Sequence, residues 1–290
     1  MSDVLRAKIG DLKLARNICV FDVGAAEFDS TSVRYAGLAS RGLCDVVGFE
    51  PNQPEWERLC DRYSGRENYR FLNVALGDGM AHQLKICRMP GCSSLLEPNV
   101  EFVSRFHGFP EFMEVVGVAD VNTVTMDSLA HLPRPDLIKL DAQGSELMIL
   151  SNAVDTLSTC LVIECEVEFG PQYEMQPLFS EVELFMRNHG FSFHSFLGFG
   201  SRNLSSFVTE DAFAPGSQWL WSDALFVRQI DHWNMLSNDE LSRLAVILFD
   251  IYHAEDFAAH ALSILSARRK EVECEVGASC DRYAGVGEIP

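Results

Sequence analysis

Three short apolar runs, each ending in an acid, constrain this chain more than any other feature. They are Ile18-Cys-Val-Phe-Asp22, Val46-Val-Gly-Phe-Glu50 and Asp136-Leu-Ile-Lys-Leu-Asp141. Each is too short for a helix and too continuously apolar for a strand wetted on one side, so each reads as a strand covered on both faces. Residues 30–41 and 53–62, which separate the first runs, read as helices. Strand and helix in alternation build βαβ units and a parallel sheet. Ligands of such open sheets sit beyond the carboxyl ends of the strands. Asp22, Glu50 and Asp141 are therefore expected to converge on one site.

The alternation continues along the chain. Tyr69 to Asn73 is a further apolar run, and residues 83–87 and 121–125 each read as a strand. Between those two lies an insertion rich in Gly, Pro and Phe, Met89 to Pro110. Residues 145–152 read as a helix, Cys160 to Glu164 as a buried strand, and 176–189 as a helix stopped by Gly190. Phe191–Phe196 and Leu220–Arg228 read as two late strands. A different region follows. Leu241, Leu244, Leu248 and Ile251 share one helical stripe, resumed by Ala258, Leu262 and Leu265. The expected organisation is one α/β domain over 1–230, a helical extension over 231–270, and a mobile acidic tail over 271–290. The helical stripe is expected to pack within the chain or to pair two subunits as a homodimer.

Charge narrows the partners. With 42 Asp and Glu against 23 Lys and Arg, the 290-residue chain carries a formal charge of −19. Such a chain repels phosphate backbones, which excludes nucleic acid as its main partner. The longest apolar run, Leu244 to Phe249, is far too short to span a bilayer, so no membrane span is expected. The opening residues lack the apolar core of a secretory signal, and nine cysteines contain no CxxC pair. Reduced thiols in a cytoplasmic protein are the expectation.

The strand ends carry the chemistry. Asp22-Val-Gly24-Ala25-Ala26 makes a tight turn in which Gly24 lets the backbone approach a ligand closely. Glu50 is placed to accept hydrogen bonds from a ribose diol. No GxGxxG follows the first strand, which argues against a nicotinamide oxidoreductase. A nucleoside cofactor without a pyrophosphate needs no phosphate cradle. S-adenosylmethionine (SAM) is such a cofactor.

In order, VFDVGAA (20–26), GFEPN (48–52), FLNVALGDG (71–79), SSLLEP (93–98), TVTMDSL (123–129), DLIKLDAQGSEL (136–147), LVIECE (161–166) and WSDALFVR (221–228) resemble the FkbM family of SAM-dependent methyltransferases. The resemblance implies a Rossmann-like class I methyltransferase fold: a mostly parallel, seven-stranded sheet, here followed by the helical extension. It implies SAM as cofactor. Asp22, Gly24, Ala25 and the adjoining Ala26 match the first SAM motif, and Glu50 with Pro51 matches the ribose-binding turn. Asn73, Val74 and Ala75 match the segment bordering the adenine. Asp141 matches the acid beside the methyl-transfer centre, Glu146 the acid of the GxEL element, and Glu164 the acid of the fifth strand. Two positions depart from the family pattern. The run Gly24-Ala-Ala-Glu27-Phe28-Asp29 has no second glycine, so Phe28 is expected to redirect the loop or fill part of the pocket. Glu166 stands where relatives often have histidine.

Methyl transfer is an in-line displacement, so an enzyme contributes mainly positioning and, for a hydroxyl acceptor, removal of its proton. Asp141 is the first candidate base, with Glu164 and Glu166 next. Clustered carboxylates raise one another's pKa, and the same cluster suits a divalent cation equally well. No metal is assigned. His107, in Phe106-His-Gly-Phe109, is an alternative base on a loop that reads as a substrate lid. The expected activity is O-methylation of a small hydroxylated molecule, such as a sugar or secondary metabolite. The competing reading is a methyltransferase fold kept as a binding or scaffolding module.

Overall fold

The structure is a computed structural model and describes residues 2–26 and 33–284. Phe28 and the second half of the first-motif turn lie outside the described residues. The chain forms two compact units, Asn17–Gln229 and a second made of the residues up to Arg16 together with those from Ile230 onward.

The larger unit is built on a mixed sheet in the order β3-β2-β1-β7-β8-β11. Five of its strands, β1 (Ile18–Val23), β2 (Cys44–Phe49), β3 (Tyr69–Leu72), β7 (Leu137–Leu140) and β8 (Val162–Glu168), are parallel to one another. β11 (Trp219–Arg228) runs antiparallel to β8. The outer edge of β11 is shared by β9 (Phe191–Phe196) and the two-residue β10 (Gly200–Ser201), both antiparallel to it. Continuous apolar sequence produced this arrangement: every residue of β1 is buried. Full burial of an aliphatic or aromatic side chain is worth about 1.5–3 kcal/mol. Phe21, Phe49, Ile138, Ile163 and Phe226 continue one core across the sheet.

Helices connect the strands: α2 (Ala36–Ser40), α3 (Gln53–Arg62), α6 (Glu146–Ser151), α7 (Val154–Leu157) and α8 (Phe179–Asn188). Gly190 adopts φ 84° and ends α8 where the sequence placed the stop. α2 is shorter than the helix expected over 30–41, and residues 30–32 lie outside the described residues.

The strands on either side of the insertion form a second sheet. β5 (Ala81–Cys87) and β6 (Val115–Val124) are antiparallel, and β4 (Ala75–Leu76) joins β6 in parallel. Only the last part of β6 was expected as strand. Its first half exposes Val115, Val116 and Val118, so burial left no alternation to read there. Between β5 and β6 lie two single-turn helices, α4 (Val100–Val103) and α5 (Phe109–Phe112).

The smaller unit contains α1 (Ser2–Gly10), α9 (Asn238–Val246) and α10 (Glu255–Ala284). Ser237 and Glu240 form a capping box that starts α9, and one π-helical turn over Ile247–Ile251 follows it. The stripe residues Leu241, Leu244, Leu248, Ile251, Ala258, Leu262 and Leu265 are all buried. The stripe thus serves packing inside this unit. Helix α10 runs to Ala284, through most of the stretch read as a mobile tail. Residues 271–284 hold one glycine, Gly277, among Glu, Val, Ala, Ser and Arg, so helix propensity outweighs the charge that suggested a loose end. No helix among the described residues is long and apolar enough to cross a membrane.

Candidate active site

Strand register explains where the acids go. Asp22 lies beside Lys139, and Lys139 beside Glu164, on three adjacent strands. Side chains alternate faces along a strand, so Asp141 and Glu166, two residues further on, share that face at the strand tips. Asp223 pairs with Glu166 on the next strand. One face of the sheet therefore carries a band of carboxylates, met by Lys139 and by Arg34.

The deeper row is a buried ion network. Lys139 Nζ donates to Asp22 Oδ1 at 3.1 Å, and the Tyr35 hydroxyl donates to Asp22 Oδ2. Burial raises the Asp22 pKa even so, while Asp22, Asp141 and Glu164 hold the Lys139 ammonium firmly protonated despite its burial. Arg34 Nε reaches Glu164 Oε1 at 3.3 Å, and its Nη2 reaches Asp223 Oδ2 at 3.4 Å.

The shallower row opens on a cleft. About 940 Å³ of open space lies beyond the tips of β1, β2 and β7, walled by the turn Val23-Gly24, by Glu50, by Val74–Leu76, by Asp141–Gln143 and by Ser145 with Ile149. The small sheet and the insertion supply the remaining wall: Leu84 of β5, Val121 of β6, and the segment Pro90 to Leu95. The apolar lining, with a few polar groups set into it, is that of a small-molecule site. Gly24 makes the close approach possible. It adopts φ 71°, and a Cβ there would stand 1.9 Å from the Asp141 carbonyl oxygen.

Glu50 is held from below. Ala26 N–H donates to its Oε2 at 3.1 Å and Asn52 N–H to its Oε1 at 2.8 Å. Each oxygen keeps a lone pair for a ligand, so a vicinal diol finds two acceptors side by side. Burial pushes the Glu50 pKa up to about 7. Asn73 does not line the cleft. Its amide donates to the Glu50 and Pro51 carbonyls at 2.9 and 3.1 Å and so fixes the turn that carries Glu50.

Asp141 is held from the side. Gln143 Nε2 donates to Asp141 Oδ1 at 2.8 Å and to Glu166 Oε2 at 2.7 Å, and the buried Tyr173 hydroxyl donates to Gln143 Oε1 at 3.1 Å. Gln143 adopts φ 51°, a left-handed conformation that a non-glycine residue keeps only when its surroundings impose it. Ser94 Oγ donates to the Gln143 carbonyl at 2.6 Å and adds to that restraint. Behind Asp141, the Ala142 N–H donates to Glu146 at 2.7 Å. Burial, with Asp141 and the other acids close by, raises Glu146 to about 8 and holds Glu166 and Glu168 well above the usual carboxylate range. Carboxylate oxygens of Asp141, Glu146 and Glu166 lie within 4.8 Å of one another. The group can share a proton or hold a hard cation.

Of the residues singled out in the sequence, Gly24, Ala26, Glu50, Pro51, Val74, Ala75 and Asp141 line the cleft. Ala25 is buried beside it, and Asp22 is turned away to Lys139. Glu164 belongs to the ion network with Arg34, and Glu166 reaches the site through Gln143. His107 does not line the cleft. Its backbone N–H donates to the Asn203 carbonyl at 2.8 Å, and its flanking Phe106 and Phe109 belong to a separate apolar cluster with Tyr173 and Leu220. The loop's aromatic residues went into packing, which carried His107 away from the strand tips. Sequence reasoning missed Gln143 and Tyr173. Gln143 sat inside the most distinctive block, but only its backbone conformation and bridging geometry mark it.

The fold is similar to that of the magnesium protoporphyrin IX methyltransferase of Synechocystis PCC 6803 with bound SAM, at TM-score 0.38 and 11% identity over 79% of each chain. It is similar also to the 23S rRNA methyltransferase ErmE, at TM-score 0.35 and 11% identity over 85% of this chain and 77% of that one. No curated protein sequence matches the chain. Residues 22–193 match the family model of the methyltransferase FkbM domain. That span covers more than half of the chain and runs from the β1 tip into β9. The protein is a SAM-dependent methyltransferase, and the chain belongs to the FkbM methyltransferase domain family.

Proposed function

We propose that SAM binds in the cleft beyond β1, β2 and β7, and that the enzyme methylates a hydroxyl oxygen of a small molecule such as a sugar or secondary metabolite. The arrangement fits the cofactor. Glu50 offers paired acceptors for a ribose diol, the apolar walls of Val74–Leu76, Leu84 and Val121 suit a purine, and Gly24 brings backbone to the ligand. When bound, SAM supplies a methyl group activated by its sulfonium. The chain supplies the rest. The observation that carries the reading is the placement of Asp141: among the described residues, it and Glu50 are the acids lining the cleft.

In this reading Asp141 accepts the proton of the acceptor hydroxyl and orients that oxygen. Gln143 fixes the Asp141 carboxylate, so the base is oriented before the acceptor arrives. The segment Pro90 to Leu95 and the small sheet exclude water from the reacting atoms. Glu164 is a structural acid and His107 stands outside the chemistry. Catalysis belongs to Asn17–Gln229, and the helical unit is accessory.

The test is transfer of labelled methyl groups from SAM to a panel of hydroxylated and amine acceptors by the wild type and Asp141→Asn. Hydroxylated acceptors are expected to be labelled, with at least a hundredfold loss in the variant and unchanged SAM binding. Labelling of amines alone, or full activity in Asp141→Asn, refutes the proposal.

A further inference from the structure

The cleft holds one polar atom whose place in the fold nothing above explains. Ser145, at the N-cap of α6, is 2% exposed, and its Oγ has no hydrogen-bond partner. Its neighbours in the cleft are satisfied differently: Ser93 Oγ accepts from Cys87 N–H at 3.1 Å, and Ser94 Oγ bonds both Gln143 and Leu96. A buried hydroxyl left without a partner has given up its water and gained nothing in return. The hydroxyl makes no capping bond to the helix backbone either.

Position indicates what completes it. Ser145 shares a helix face with Ile149, four residues on, and both line the cleft. Val74, Leu76, Leu84 and Val121 line it as well. An apolar slot with an unsatisfied hydroxyl in its wall suits a heteroaromatic ring. The ring faces take dispersion contacts, and a ring nitrogen or exocyclic amine takes the hydrogen bond. Resting on the assignment of this cleft to SAM, we propose that Ser145 Oγ binds the edge of the cofactor's adenine, so that cofactor binding satisfies a hydroxyl the protein leaves open.

The proposal makes the apoprotein and the complex respond in opposite ways to one substitution. Ser145→Ala removes an unsatisfied group from the free protein and a hydrogen bond from the complex. The apoprotein's melting temperature is expected to stay level or rise. The Kd for S-adenosylhomocysteine, measured by calorimetry, is expected to weaken by about 3–10-fold, the worth of one neutral hydrogen bond. Ser145→Thr keeps the hydroxyl and is expected to hold the wild-type Kd. Methionine alone, titrated as a probe without adenine, is expected to bind wild type and Ser145→Ala alike. Equal affinity of wild type and Ser145→Ala for S-adenosylhomocysteine overturns the proposal. So does a fall in apoprotein melting temperature with no change in Kd, which marks a hydroxyl bonded within the protein. Wild-type protein that binds no S-adenosylhomocysteine at all refutes instead the assignment of the cleft.

Discussion

Glu50→Gln separates what Glu50 costs the free protein from what it does for the ligand. Burial moves the Glu50 carboxyl from 4.5 up to about 7. Keeping it ionised at pH 8 therefore costs the folded state about 3 kcal/mol, at 1.36 kcal/mol for each pH unit between the two values. The folded protein binds this proton more tightly than the unfolded chain does. Its contribution to stability is thus fully present below pH 4.5 and lost as pH rises through 7. Glutamine is nearly isosteric and cannot ionise. Urea denaturation of the apoprotein should show Glu50→Gln about equal to wild type at pH 4.5 and up to about 3 kcal/mol more stable at pH 8. Glu146, Glu166 and Glu168 titrate in both proteins, so the difference between them isolates Glu50. SAM binding should move the other way. A carboxylate accepting two diol hydroxyls makes charge-assisted bonds, so Glu50→Gln should weaken SAM about 10–100-fold at pH 8. Ligand stabilises the ionised form, so the wild-type Kd should tighten about tenfold from pH 6 to pH 8, with proton release visible in calorimetry, and the variant should lose this slope. A variant no more stable at pH 8, or one that binds SAM like wild type, refutes the reasoning.

Gly24→Ala puts a Cβ 1.9 Å from a backbone oxygen at a positive φ and is expected to cost more than about 2 kcal/mol in thermal unfolding and to abolish SAM binding. Lys139→Met leaves Asp22 buried without its cation. A loss of about 3 kcal/mol is expected at pH 7, shrinking as pH falls because Asp22, already raised by burial, takes up a proton. Gln143→Ala should lower kcat for methyl transfer at least tenfold, while the SAM Kd, read by calorimetry, stays within about twofold. His107→Ala should leave both kcat and SAM affinity unchanged in the same assays.

The sequence made the strand tips readable because burial on both faces leaves a continuous apolar signature, and β1, β2 and β7 end within a residue of the acids chosen. It also made the DLIKLDAQGSEL block readable. What it concealed was direction. Asp22 and Asp141 look alike in sequence, both acids at strand ends, yet one still belongs to its strand and faces Lys139 while the other lies past its strand and faces the cleft. Both lie on one face of the sheet, and an offset of two residues in register decides between the two. Gln143 was hidden for a related reason. Its role depends on a left-handed backbone and on Tyr173, thirty residues away, reaching its amide. The small sheet over the cleft was half visible, since β5 and the end of β6 alternate while the exposed valines of β6 do not.

The roles given to Glu50, Asp141 and Ser145 all require SAM to bind beyond β1, β2 and β7. Hydrogen–deuterium exchange with and without saturating SAM tests it most directly. The account predicts slowed exchange in peptides covering 23–26, 50–52, 74–76 and 141–149, with little change in the helices from Ile230 onward. SAM binding that protects other segments and leaves these four unchanged would contradict it.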